Sequence, residues 1–194
     1  MVQRQELLER LLAAHEGYFD VEDTFELAGQ TFQGRAQFHS ESMQYVLSKK
    51  AKIWGANIHE HVLFRSLEHL DMTTLEELIA FMKTEALSLI ELNSEHMTTF
   101  LSLVIVAESA DTNAKELVRK TKYRKNFSFG LKGWTDLRLA LIDLSDSSIT
   151  TNPQGKELIN TLEAICSKIS VLKIDLYGPT VKRACRSTHV DFCF

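Results

Sequence analysis

The sequence predicts a mixed α/β domain, with a central sheet made of an antiparallel three-strand meander plus two buried strands and flanked by helices. Three observations lead there. Apolar residues recur at helical spacing in three separate stretches, and β-formers cluster in three segments between Thr31 and Arg65. Two later runs, "FLSLVIVA" and "DLRLALIDL", are apolar on both alternating faces, as strands covered on two sides must be. Helices placed before, between and after such runs supply the cover.

Leu7, Leu8, Leu11 and Leu12 followed by Gly17 predict a short opening helix. The meander strands are then Thr31 to Phe38, Tyr45 to Trp54 and Ile58 to Arg65, separated by polar or glycine-containing breaks. Thr73-Thr74-Leu75-Glu76 has the capping-box form, and Leu75, Leu78, Ile79, Met82, Ala86, Leu89 and Ile90 mark one face of a long helix behind it. Phe100 to Ala107 is the central strand. Asp111 to Lys125 reads as a second helix with a basic surface, and Asp136 to Leu144 as another buried strand that turns at Ser145 to Ser148. Asn152-Pro153 offers an N-cap and a first-turn proline to a last helix, whose apolar face runs through Leu158, Ile159, Leu162, Ile165, Ile169 and Leu172.

With 194 residues, 44% of them hydrophobic, the chain is long enough for one filled core. One domain is expected over residues 1–172, followed by an irregular tail at 173–194. The apolar residues of that tail, Ile174, Leu176, Tyr177, Val190, Phe192 and Phe194, must dock on this domain or on a second copy, which makes a homodimer an expected partner. A net charge of -4 implies no bulk attraction to nucleic acid or membrane, so local patches must be judged separately. Cys166, Cys185 and Cys193 form neither a disulfide framework nor a zinc knuckle, and free thiols in a cytoplasmic protein are the simpler reading. The charged opening segment is not a signal peptide, and no window reaches the roughly 18 apolar residues of a membrane span.

The stretch "NIHEHVLF" carries the strongest chemistry. On a strand, His59 and His61 share one face and Glu60 takes the other. Strand-borne His-x-His can offer two nitrogens to a divalent metal, and His39 and His96 are the available third ligands. The plain alternative is a solvated strand face. The spacing is not that of a helical zinc protease, because Leu63 stands where the second histidine belongs. Val62, Leu63 and Phe64 continue the alternation, so the histidine face should be the open one and Glu60 should sit at the rim of the packed one. No other cofactor is predicted.

Arg119, Lys120, Lys122, Tyr123, Arg124 and Lys125 put five cations and one aromatic into seven residues, which would suit phosphate contacts and a stacked base. The plain alternative is a helix end whose cations complement the dipole. "FSFGLKGWTD" lacks phosphate-loop spacing, so Gly130 and Gly133 are expected to permit a tight turn, with Trp134 as a core anchor.

Through "GRAQFHSESMQYVLSKKAKIWGANIHEHVLF" and "FGLKGWTDLRLALIDL" the chain resembles a family of uncharacterised bacterial proteins of unknown function, over roughly residues 5 to 160. That resemblance implies a self-contained domain and brings no activity. The element order alone also resembles the restriction-endonuclease-like fold, whose active members hold Mg²⁺ on an acidic residue and an acidic-x-Lys triplet. Here the triplet position reads Glu60-His61-Val62, and no acidic residue in the chain has a lysine two positions later. The leading expectation is therefore a non-catalytic binding or interaction domain. The rivals are a metal-dependent hydrolase with a degenerate site on Glu60, His59, His61 and Glu41, and a weak nucleic-acid binder through the basic 115–125 helix. The first rival requires Glu41 and Glu60 in one cleft.

Overall fold

The structure, a computed structural model, describes the backbone of residues 2–45, 52–93 and 96–176, and the side chains within them except at 2, 40–45, 52–57 and 168–176. In chain order the elements are α1 (Val2–His15), β1 (Asp20–Glu22), β2 (Phe25–Leu27), β3 (Gln30–Phe32), β4 (Gly34–Tyr45), β5 (Lys52–Leu70), α2 (Met72–Lys83), β6 (His96–Ala110), α3 (Thr112–Lys120), β7 (Arg124–Asn126), β8 (Trp134–Asp143), β9 (Ser148–Thr151) and α4 (Ile159–Leu176). The main sheet runs β1-β4-β5-β6-β8-β7, with β9 also on β8, while β2 and β3 form a separate hairpin. β5, β6 and β8 are mutually parallel. β1, β4 and β5 are antiparallel neighbours, so the mixed α/β sheet with an antiparallel trio and buried strands is present.

Element boundaries differ from the expected ones at β4 and β5, at both ends of α2 and at the end of α3. Most of the second expected strand, residues 46–51, lies outside the described residues; Tyr45 ends β4, Lys52 begins β5, and the third expected strand is the middle of the 19-residue β5. The N-cap of α2 is Asp71, whose carboxylate accepts from the Thr74 amide at 2.7 Å, so the threonines lie inside the helix. That helix stops at Lys83 because the Thr84 hydroxyl takes the Ala80 carbonyl, and a 3₁₀ turn covers Glu85–Leu89. α3 likewise stops at Lys120. Thr121 turns extended and its hydroxyl takes the Leu117 carbonyl at 2.7 Å, so Arg124 and Lys125 lie on a strand paired with β8 rather than on a basic helix.

Alternation along β5, β6 and β8 feeds two cores. Leu63, Leu101, Leu103, Leu137, Leu139 and Leu141 face α2 and α3. Val62, Phe64, Val104, Val106, Ala140 and Ile142 face α1 and α4. Both sheet faces are covered, which corrects the expectation that the histidine face is open. Asn152 is fully buried and ties the end of β9 to β8, accepting the Leu139 and Gly155 amides and donating to the Leu137 carbonyl at 2.8 Å.

Candidate functional site

The register pairs His39 with His59 across β4 and β5, and the period of two adds His61 to the same face. β6 contributes His96 beside them, its ring stacked parallel to His59 at 6.3 Å. The four histidines named from the sequence therefore gather at one end of the α2 side of the sheet. His59, His61 and His96 are 8%, 3% and 5% exposed, while His39 is at the surface.

Their nitrogens are committed to fixed partners. His96 Nδ1 donates to the Lys132 carbonyl at 2.7 Å, which leaves Nε2 to accept from the Thr99 hydroxyl at 2.9 Å. That contact is possible because Gly133 is a glycine. At φ 72° it brings the loop so close that a Cβ would lie 2.1 Å from the Met97 carbonyl oxygen and 2.9 Å from His96 Nδ1. His61 Nδ1 faces the Arg35 guanidinium at 3.2 Å and can only accept there. Burial first, then the charge of Arg35 and the neighbouring His39 and His59, push the His61 pKa down to about 4, so this ring is neutral at physiological pH. His39 and His59 meet Nδ1 to Nδ1 at 2.6 Å, a contact that needs one proton between two nitrogens, and Gln37 holds the other side of His39.

A divalent metal would have to draw on His39 and His59, because the lone pairs of His61 and His96 are already taken and Arg35 adds positive charge beside them. Among the described residues no three His, Cys, Asp or Glu side chains are arranged to hold a metal ion.

Glu60 lies on the opposite face. Its carboxylate accepts from the Ser102 hydroxyl at 2.6 Å and from Arg138 at 3.3 Å; Arg138 also reaches Glu157 and stacks 3.5 Å over the Phe100 ring. Glu41 pairs in register with Asn57, which shares the parity of His59, so the backbone sets Glu41 and Glu60 on opposite sheet faces. The hydrolytic pair would have the sheet between its members. The lysine position of the nuclease-like triplet is Val62, buried in the α1 core.

The basic candidates separate. Arg119 and Lys120 end α3, with Lys120 on Glu116 at 2.7 Å, whereas Lys122 and Tyr123 lie in the following connection. The Tyr123 ring is half-buried against the α2 core, with the Lys83 ammonium over it and its hydroxyl on the Lys83 carbonyl. Arg124 grips the nearly buried Asp136 with two bonds of 2.7 and 2.6 Å and lies over the half-buried Trp134. Lys125 sits over the Phe127 ring. In the loop beyond it, where a turn was expected at Gly130 and Gly133, Phe129 is fully exposed and Leu131 is 88% exposed, a feature that no sequence pattern marked. Two surface clefts of about 480 and 360 Å³ border α1, and none of these candidate residues lines either.

A family profile for a domain of unknown function (DUF8052) matches residues 3–164, and the chain belongs to that family. No curated protein and no solved structure matches it. The likeness to restriction endonucleases thus remains one of element order. Among the described residues no helix is long and apolar enough to cross a membrane.

Proposed function

We propose that this chain is a cytoplasmic, non-catalytic binding domain that engages an anionic partner through residues 119–132. One observation carries the reading. From Leu117 to Thr135 there is no acidic residue, while Arg119, Lys120, Lys122, Arg124, Lys125 and Lys132 supply six cations, in a chain whose net charge is -4. Glu116 and Asp136 at its borders pair with Lys120 and Arg124, and among the described residues Arg119, Lys122, Lys125 and Lys132 have no carboxylate at ion-pair distance; such a patch attracts polyanions locally whatever the net charge. The groups that could do chemistry elsewhere are spent on one another. His61 and His96 hold fixed hydrogen bonds, Glu60 is bound by Ser102 and Arg138, and Asp136 by Arg124.

The full-length protein should be retained on immobilised heparin, a generic polyanion, and elute with moderate salt; Lys122→Glu/Lys125→Glu/Lys132→Glu should elute markedly earlier. Retention of the triple variant equal to that of the wild type would overturn the binding surface. A divalent-ion-dependent hydrolysis abolished by His59→Ala would overturn the non-catalytic reading.

A further inference from the structure

We propose that the anionic partner is a lipid bilayer surface, and that the 127–133 loop inserts Phe129 and Leu131 into it while Lys125 and Lys132 meet the headgroups. This rests on the reading of 119–132 as the binding surface and names its partner. The loop closes the β7–β8 hairpin at the edge strand of the sheet. Phe129 is fully exposed and Leu131 88% exposed, two residues apart at the tip of the loop. Exposed large apolar groups gathered at one tip mark a contact site rather than scattered surface.

The tip is built, not slack. Phe127 donates its amide to the Gly133 carbonyl at 2.9 Å and accepts the Gly130 amide at 2.9 Å and the Lys132 amide at 3.2 Å. The Lys132 carbonyl is fixed on His96, and the Phe127 ring packs edge-on against the His96 ring at 5.9 Å. Ser128 and Phe129 hold left-handed backbone at φ 48° and 55°, a conformation costly for side chains of this kind. The fold therefore holds an aromatic side chain in water by means of an unfavourable backbone, and the buried His96 behind it anchors the loop.

A bilayer suits this shape better than a duplex does. Apolar side chains on a protruding tip can sink to the acyl boundary while the cations beside them stay with anionic headgroups. Tyr123, the aromatic among those cations, is half-buried against the α2 core, and the exposed tip pairs the aromatic Phe129 with the aliphatic Leu131, a combination that suits acyl chains rather than stacked bases.

The test is flotation of the full-length protein with vesicles of phosphatidylcholine, alone or mixed with phosphatidylserine. Binding is expected only to the anionic vesicles. Phe129→Ser/Leu131→Ser should weaken it roughly ten- to a hundredfold while leaving the thermal midpoint unchanged, since both side chains are exposed. Phe129→Trp should keep binding and show a blue-shifted emission when anionic vesicles are added. No flotation, or flotation of the double variant equal to wild type, overturns the proposal. Protein that ignores vesicles but binds heparin or a labelled DNA duplex through Lys125 and Lys132 overturns the bilayer and leaves the binding surface standing; protein that ignores all three overturns both. A wild-type dimer that dissociates in the double variant would also overturn it, because a second copy would then cover the tip.

Discussion

His61 ties the site to stability through its proton. In the unfolded chain its imidazole takes up a proton near 6.5, but in the folded chain only near 4, because burial and then Arg35, His39 and His59 oppose the charge. Between those values the unfolded state holds more protons, so stability should fall as pH drops from about 6.5 to about 4 and be insensitive to this group above that window. The displacement corresponds to roughly 3 kcal/mol. Urea midpoints of wild type and His61→Gln compared between about pH 7 and pH 4.5 should show a distinctly shallower acid loss in the variant; parallel curves would refute the assignment. All four histidines of this site were candidates from the sequence, but only two could be placed on a common face. A period of two is enough to put His59 and His61 on one face, and the register then brought in His39 and His96. Which face lay under a helix was not legible, because that depends on where α2 and α3 pack. The partners of Glu60 did leave a trace: Ser102 and Arg138 are the polar breaks in two otherwise apolar strands, at a parity that brings both to its face.

At the scale of elements, α3 illustrates why a charge pattern read from sequence can mislead. Its basic residues look like one solvated face, yet Lys115 is only 12% exposed and its ammonium reaches Asp143 at 2.6 Å, Asp146 at 2.7 Å and the Ser148 hydroxyl at 3.1 Å. It locks the helix to the β8–β9 turn. Burial alone would raise the Asp143 pKa, but the Lys115 ammonium and the Ser145 hydroxyl and amide outweigh it and hold that carboxyl below its usual range. Lys115→Met should leave an almost fully buried carboxylate without a counter-charge and cost about 3 kcal/mol in denaturant unfolding. Adding Asp143→Asn should restore part of the loss, because the uncompensated charge is then gone. A single-variant loss no larger than that of an ordinary surface change would mean that the Ala110 and Ser145 amides alone satisfy Asp143. The strand interiors and helix centres were legible because their apolar periods are long. The helix ends were not, since a hydroxyl at Thr84 or Thr121 that captures a carbonyl one turn back leaves no mark on hydrophobic periodicity.

For the molecule as a whole, the arrangement of two cores around one sheet decides how it unfolds. The α2–α3 core and the α1–α4 core share no helix, and on that ground alone each could melt separately. They are nevertheless built from the same strands: in β6, Leu103 and Ile105 belong to one core and Val104 and Val106 to the other, and β8 divides Leu139 and Leu141 from Ala140 and Ile142 in the same way. Losing either helix layer exposes one face of three parallel strands, whose pairing has no separate turn to hold it and which need cover on both sides. Melting of one core should therefore carry the other with it. Leu11→Ala, a fully buried position on α1, and Leu103→Ala, equally buried on the opposite face, should each cost about 2–5 kcal/mol and shift the same single transition with an unchanged denaturant slope. Far-ultraviolet circular dichroism and tryptophan fluorescence should report that transition at one midpoint. Two midpoints, with Leu11→Ala moving only one of them, would show instead that the α1–α4 layer is a separable unit resting on a sheet that the α2–α3 core can hold by itself.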